Sequence, residues 1–247
     1  MAVDERPGHA VVTGGAGGIG LAIGQALTSA GHAVTLMGRS ADSLAAAAQS
    51  MDGAGFAVCD VTDEAAVLAA LASAEAERGS VQVLVNNAGA ATVGAFEKIG
   101  LDAWIACLDV NLLGAVRMTK AALPSLKSHA WARVINIAST AGLKPYVNVS
   151  PYVAAKHALI GLTRALALEL AKTGVTVNAV CPGAILTGVW DGIPAERREE
   201  QFKRMTGHLP IPRVGLPAEV AEAYLYLMKA GYTTGQVLLV DGGGSVI

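Results

Sequence analysis

Tyr152 and Lys156 stand four residues apart in the stretch Ser150-Pro151-Tyr152-Val153-Ala154-Ala155-Lys156. On a helix that spacing stacks both side chains on one face, one turn apart. A free tyrosine has a pKa of about 10 and is a poor proton relay at neutral pH. A cation one turn away favours the phenolate and draws that pKa toward the working range. The pair therefore reads as an acid/base couple for moving a proton on or off an oxygen. Y-x-x-x-K also occurs on many solvated helix faces, so its meaning depends on the elements that position it.

Those elements alternate. Short apolar runs at 9–13, 33–37, 56–59, 81–85, 133–138, 175–180 and 236–240 suit buried parallel strands. Between them, periodic stretches predict helices over 21–30, 40–51, 63–78, 151–172 and 217–229, and over 101–127 one long helix or two joined ones. Ser40 is the expected N-cap of the second helix, and Thr62 or Asp63 that of the third. Strand-helix alternation of this kind is the signature of an α/β, Rossmann-type doubly wound parallel sheet of about seven strands, with helices on both faces. No repeat or linker interrupts it, so one domain over 1–247 is the simplest reading. Only 188–212, polar and broken by Pro and Gly, has no place in the sheet; a long excursion of that kind reads as a substrate-binding lid.

Composition narrows the classes. The chain has 247 residues, 53% hydrophobic and 15% charged, which predicts a large core and argues against disorder. The net charge of −2 comes without a basic block, so nothing points to nucleic acid. Cys59, Cys107 and Cys181 are odd in number and widely spaced, which reads as reduced, intracellular and not metal-binding. No Asp, Glu, Lys or Arg occurs from Pro7 to Gly38. Glycines and polar residues interrupt that stretch, so it reads as strand, loop and helix rather than a membrane span. The N-terminus has no signal-peptide shape, and a cytoplasmic protein is the expectation.

The loop Thr13-Gly14-Gly15-Ala16-Gly17-Gly18-Ile19-Gly20 lies between the first strand and the first helix. In that setting glycines let the backbone approach a pyrophosphate while the helix N-terminus offers free N–H groups and a positive dipole end. Its T-G-x-x-x-G-x-G spacing resembles the short-chain dehydrogenase/reductase family. Further motifs agree in order. Asn86-Asn87-Ala88-Gly89 follows the fourth strand, and Asn111 sits in the next helix. Ser139 precedes Tyr152 by 13 residues, and Pro182-Gly183-Ala184-Ile185-Leu186-Thr187 follows the sixth strand. The resemblance spans His9 to Gly243, and within the family it is nearest to 3-oxoacyl-thioester and polyketide ketoreductases.

That resemblance implies hydride transfer between NADP(H) or NAD(H) and a carbonyl or secondary alcohol. Tyr152 would be the proton donor or acceptor, and Lys156 would lower the tyrosine pKa and hold the nicotinamide ribose. Ser139 would hydrogen-bond the substrate oxygen, with Thr140 as competitor, and Asn111 would complete a water path to Lys156. The implied cofactor site is Gly14, Gly17, Gly18, Ile19, Gly20, Arg39, Ser40, Asp60, Val61, Asn87, Ala88, Gly89, Tyr152, Lys156, Pro182, Gly183, Ile185 and Thr187. Asp60, matching the aspartate that contacts the adenine amino group, could also or instead cap the next helix. An NAD-preferring enzyme wants an acid after the second strand for the ribose 2′-hydroxyl. Here Gly38 takes that place and Arg39 follows, suited to a 2′-phosphate. NADP(H) is therefore favoured over NAD(H), although Gly17 lacks the second basic residue common among NADP-using relatives. His157 points about 100° away from Lys156 and reads as packing or surface.

The substrate pocket is expected from Tyr146, Val147, Val189 and Trp190, an apolar wall for a small carbonyl or alcohol. The charged ladder at 196–204 reads as a solvated helix face. An acyl carrier protein is weakly supported, because Ala130 and Thr173 stand where carrier-dependent relatives show arginines, with Lys172 and Arg133 only nearby. Leu159, Ile160, Leu162, Leu166 and Leu168 exceed what one core contact can use, which fits the family's pairing of helices in a homotetramer. Two other functions are open: an NAD-dependent alcohol dehydrogenase, and a non-catalytic cofactor-sensing binding protein that kept the fold alone.

Overall fold

A computed structural model of the chain describes residues 8–188 and 193–247. The strands are β1 (His9–Thr13), β2 (Ala33–Gly38), β3 (Ala54–Val58), β4 (Val81–Asn86), β5 (Ala132–Ile137), β6 (Val175–Pro182) and β7 (Val237–Val240). The helices are α1 (Gly18–Ser29), α2 (Ala41–Gln49), α3 (Glu64–Arg78), α4 (Leu101–Leu108), α5 (Gly114–Lys127), α6 (Ser150–Glu169), α7 (Ala195–Thr206) and α8 (Pro217–Lys229). All strand pairs are parallel, in the order β3-β2-β1-β4-β5-β6-β7. The expected doubly wound α/β sheet is thus present.

Strand pleating divides the core in two. Ala10 and Val12 join Ile23 and Leu27 of α1 and Val220 and Tyr224 of α8 on one face. Val11, between them, joins Val67 and Leu71 of α3 and Met118 and Leu126 of α5 on the other. Successive strand side chains point to opposite faces, so a strand covered on both sides must be apolar throughout. β1 and β5 are buried along their whole length, whereas the edge strands β3 and β7 are not.

Local chemistry sets the helix starts. Ser40 caps α2 by accepting the Ser43 N–H, and Asp63 caps α3 by accepting the N–H groups of Ala65 and Ala66 at 2.9 and 3.2 Å. Asp60 does not cap α3. Its Oδ1 instead accepts the N–H and hydroxyl of Thr62 at 2.9 and 2.7 Å, holding the loop after β3. The 101–127 helix is two helices joined by a π-helical turn, Asp109–Leu113. α6 stops at Glu169, three residues before the expected end.

β1 and β4 are neighbours, yet the chain leaves β1 toward β2 and leaves β4 toward β5. Their C-terminal ends therefore open a crevice at the topological switch point, where ligands of such sheets bind. The glycine loop follows β1 and Asn86-Asn87-Ala88-Gly89 follows β4, so both motifs meet there.

At the opposite end of the sheet, His9 is buried with Nδ1 donating to the Gly79 carbonyl (2.8 Å) and Nε2 accepting from the Thr35 hydroxyl (2.9 Å). Burial holds its pKa below the ordinary 6.5, and the same is true of His32. Below pH 6.5 the unfolded chain takes up protons that the folded chain refuses. Stability is therefore fully present above pH 6.5 and is lost as pH falls through the folded values. We expect a lower urea midpoint at pH 5.5 than at pH 7.5, and a smaller drop in His9→Gln. An unchanged drop in that variant would remove His9 from the account.

Candidate active site

Lys156 is 3% exposed, and its Nζ donates to the Ile137 carbonyl at 2.8 Å, at the end of β5. The ammonium lies 5.4 Å from the centre of the Tyr152 ring, so the i, i+4 spacing does bring the pair together. The electrostatics differ from the sequence expectation. Burial raises the Tyr152 pKa above 10, against a lowering by a hydrogen bond with the Ser139 side chain, and Lys156 is not among the causes of the shift. Lys156 itself is lowered to about 8, chiefly by desolvation. The reason is geometric: Nζ lies over the ring and bonds to the β5 backbone, while the phenol loses water. Before any ligand binds, Tyr152 is an acid that holds its proton at neutral pH.

Ser139 lies two residues beyond β5 and caps a 3₁₀ turn, Thr140–Gly142, where its hydroxyl also accepts the Ala141 N–H at 3.1 Å. Thr140, the competitor, is buried and shares a hydrogen bond with the Tyr146 hydroxyl at 2.9 Å. Ser139 is therefore the one beside Tyr152. Asn111 lies in the π-turn and is 1% exposed. Its Nδ2 donates to the carbonyls of Ala90 (2.7 Å) and Cys107 (2.9 Å). Two carbonyl acceptors fix which end of the amide is nitrogen. Oδ1 is left buried with no protein partner. A Cβ added to Gly89 would stand 2.5 Å from that oxygen and 3.5 Å from Lys156 Nζ, so both atoms face the same small space beside Gly89. An orphaned buried oxygen next to an ammonium is a place for an ordered water.

At the glycine loop, Gly14 and Gly18 take φ of +62° and +54°, which side chains disfavour. A Cβ at Gly20 would meet the Gly14 carbonyl at 2.2 Å. The loop is braced from β4: Asn87 Nδ2 donates to the carbonyls of Thr13 and Gly14, and the Thr13 hydroxyl accepts the N–H groups of Asn87 and Ala88. Asn87 and Ala88 thus shape the cradle. Gly17 precedes α1 without a side-chain cap, and a Cβ there would meet nothing within 4 Å. Free helix N–H groups facing open space at a switch point fit a pyrophosphate.

Thr187 packs by its methyl against Gly18, 3.2 Å from where a Cβ would lie. A cleft of about 660 Å³ runs past Gly18, Thr187, Arg198, Phe202 and Leu216, on the glycine-loop side of the site, under α7. Ile19 and Ile185 pack with the α1/α8 core, and Gly183 lets the backbone pass Asp241. Pro182 closes the pairing of β6 with β7. Ser40 is spent as a cap. Arg39 is exposed and acts on Asp60, whose carboxyl is held low first by the Thr62 bonds and then by Arg39 and Arg117. Arg39 and Asp60 thus lie near one another beyond the C-terminal ends of β2 and β3.

On the substrate side, Tyr146 and Val147 are exposed beside the site, and Gly94 donates to the Asn148 carbonyl, joining the two loops of the wall. Val189 and Trp190 lie outside the described residues. His157 is exposed and bonds to the Val153 carbonyl. Sequence reasoning missed several contributors. Cys107 and Ala90 orient Asn111. Asn86, Asn136, Thr119 and Thr163 form a buried chain of hydrogen bonds that ties β4 and β5 to α5 and α6. Two asparagines inside apolar strands were the available signal. Arg133 is buried with its Nε on the Met228 carbonyl at the far end of the sheet, so it cannot serve as an entrance cation. Of the five leucine and isoleucine residues thought surplus in α6, only Leu168 is largely exposed; Leu159 and Ile160 are core.

A half-buried Tyr and a buried Lys, with Ser and Asn, set at the switch point beside a glycine loop, suit a dinucleotide-dependent oxidoreductase. The short chain dehydrogenase family model matches residues 8–198. The chain is 41% identical over 249 residues to a ketoacyl reductase of the granaticin polyketide synthase of Streptomyces violaceoruber, covering 95% of this chain and 92% of that one. It is 36% identical over 236 residues to an acetoacetyl-CoA reductase of Shinella zoogloeoides, covering 95% and 97%. A crystal structure of an actinorhodin polyketide ketoreductase variant with NADPH superposes with a TM-score of 0.90 at 37% identity, covering 98% of each chain. The protein belongs to the short chain dehydrogenase family and is an oxidoreductase acting on carbonyl and alcohol groups of small molecules with NAD(P). Among the described residues no helix is long and apolar enough to cross a membrane.

Proposed function

We propose that the protein is an NADP(H)-dependent ketoreductase that reduces a 3-oxoacyl-type carbonyl to a secondary alcohol. The observation that carries this reading is geometric: Tyr152 is hydrogen-bonded to Ser139 and lies under the Lys156 ammonium, 5.4 Å from the ring centre. A tyrosine that keeps its proton at neutral pH is ready to donate it, which is the requirement of the reductive direction. The names of the relatives, a ketoacyl reductase and an acetoacetyl-CoA reductase, support the substrate class.

When bound, the dinucleotide supplies the hydride. The loop at Gly14, Gly17, Gly18 and Gly20 would hold the pyrophosphate at the α1 N-terminus, Asp60 and Val61 the adenine, and Thr187 the nicotinamide carboxamide. The Ser139 hydroxyl donates to the carbonyl oxygen and polarises it. Tyr152 transfers its proton to that oxygen as negative charge develops. Lys156 stabilises the resulting phenolate from one turn away, and a water held between Lys156 and Asn111 Oδ1 returns the proton. Tyr146 and Val147 form the apolar wall for the acyl group, and α7 is the lid.

Arg39 favours NADP(H), because its guanidinium would suit a 2′-phosphate. The open space at Gly17 favours the second reading, an NAD-dependent dehydrogenase, since no loop cation stands there. We also propose a cytoplasmic homotetramer. Leu101, Ile105 and Leu113 around α4, and Leu168 with Ala154, Ala158, Gly161 and Ala165 along α6, form exposed apolar and small surfaces suited to two-fold pairing. A thioester of a free carrier such as coenzyme A fits better than an acyl carrier protein, because no arginine stands at Ala130 or Thr173.

The test is NADPH and NADH oxidation against acetoacetyl-CoA, a bicyclic ketone, diacetyl and a keto-sugar. We expect turnover of acetoacetyl-CoA or the bicyclic ketone with NADPH preferred. Turnover confined to the keto-sugar, or to NADH, would overturn the substrate or the cofactor assignment respectively.

A further inference from the structure

We propose that Arg117 is a positioning residue that couples the adenine end of the crevice to Asn111. The inference rests on the cofactor reading above, in which Asp60 and Val61 receive the adenine. Arg117 lies on α5, and its Nη1 reaches two places at once: 3.3 Å from the Val61 carbonyl and 2.7 Å from Asp109 Oδ1. Asp109 is the first residue of the π-turn and Asn111 the third. One nitrogen thus joins the loop that takes the adenine to the turn that carries the site asparagine.

A second contact runs in parallel. Gly114, the first residue of α5, sits so close to Val61 that a Cβ would stand 2.7 Å from Val61 Cγ2. The start of α5 therefore rests directly on Val61, sterically through Gly114 and by hydrogen bond through Arg117. A displacement of Val61 moves the base of the π-turn.

The π-turn is the element with something to gain from being held. It carries an extra residue relative to the α-helical turns on either side, a register that persists where outside contacts support it. Asn111 is aimed by two carbonyls, those of Ala90 and Cys107, while its Oδ1 waits for a partner. A shift of the turn re-aims that oxygen relative to Lys156. The Arg117 and Asp109 side chains are 24% and 27% exposed. Asp109 Oδ1 is itself buried, and its pairing with Arg117 is a charge contact rather than an aligned hydrogen bond. The two-ended geometry makes Arg117 a strut between two ligand-binding segments, and coupling between sites is carried by such contacts.

The test uses 2′,5′-ADP, which has the adenine end of the cofactor and no nicotinamide, and reads hydrogen–deuterium exchange rather than activity. In the unmodified protein the ligand is expected to slow exchange both in peptides over 58–66 and in peptides over 107–115, the latter about tenfold. Arg117→Met should keep the first effect and lose the second, and Arg117→Lys, with a donor cation on a similar stem, should restore part of it. Should Arg117→Met not fold, Asp109→Ala breaks the same contact from the other side. Equal protection of 107–115 in the unmodified protein and in the variant overturns the coupling, as does its absence in the unmodified protein. Absence of protection at 58–66 in the unmodified protein overturns the cofactor reading itself, a distinct result.

Discussion

Tyr152→Phe is expected to lower kcat for carbonyl reduction by about 10²- to 10⁴-fold, the span typical of losing a positioned general acid, with cofactor affinity nearly unchanged. Phenylalanine keeps the ring under the Lys156 ammonium and removes only the hydroxyl. Lys156 keeps its bond to the Ile137 carbonyl, and the glycine loop, braced by Asn87, is untouched. The substrate oxygen would still meet Ser139 but would find no proton to take up. Steady-state kinetics and a fluorescence titration with NADPH separate the two quantities, and near-normal turnover would sink the role given to Tyr152. The pH dependence follows from the same burial. Tyr152 stays protonated through neutral pH because its pKa lies above 10, whereas Lys156 loses its charge near 8. Reduction is therefore expected to hold level from pH 6 to about 8 and to decline above, as the cation that stabilises the phenolate disappears. A rise in the rate of reduction between pH 8 and 9 would contradict this order of ionisation.

Replacing Gly38 by Asp together with Arg39→Leu is expected to shift the ratio of kcat/KM for NADPH over NADH by about 10³ toward NADH. The estimate has two parts. Losing charged hydrogen bonds to a phosphate costs about 2 kcal/mol. We assign a similar amount to the new carboxylate, which repels the phosphate and accepts from a free 2′-hydroxyl. About 4 kcal/mol is three decades. The backbone accepts the change: a Cβ at Gly38 would lie 3.6 Å from Leu44 Cδ2, an ordinary contact, and Gly38 is not among the positive-φ glycines. Arg39 is exposed, so its loss leaves no buried partner behind. The ratio is read from initial rates with one substrate and both cofactors. A ratio unmoved in a folded double variant would make Arg39 an ordinary surface residue and strengthen the NAD reading.

Much of the molecule could be read before any coordinate, because its signals are local. The apolar runs report strands that are covered on both faces, Ser40 and Asp63 report helix starts, and glycines at 14, 18 and 20 report backbone that must turn or pass closely. Tyr152 and Lys156 share one helix, so their spacing alone brings them together. Ser139 was legible by its order along the chain, 13 residues before Tyr152, which supported a family resemblance that the comparisons bear out, although β5 stops two residues before it.

Other features depend on elements far apart in sequence, and no pattern in the chain announces them. The π-turn that aims Asn111 is held by carbonyls of Ala90 and Cys107. The bridge from Arg117 to Val61 spans 56 residues, and the polar chain through Asn86, Asn136 and Thr163 crosses from sheet to helix. The state of the tyrosine is the clearest case. Spacing places a cation one turn away and predicts a lowered pKa. The tertiary structure turns that ammonium toward the β5 backbone and takes water from the phenol, and desolvation then outweighs the hydrogen bond with Ser139. Sequence determined which residues meet along a helix or a strand; packing between elements decided which way their atoms point and how much water reaches them, and it is those two quantities that set a pKa.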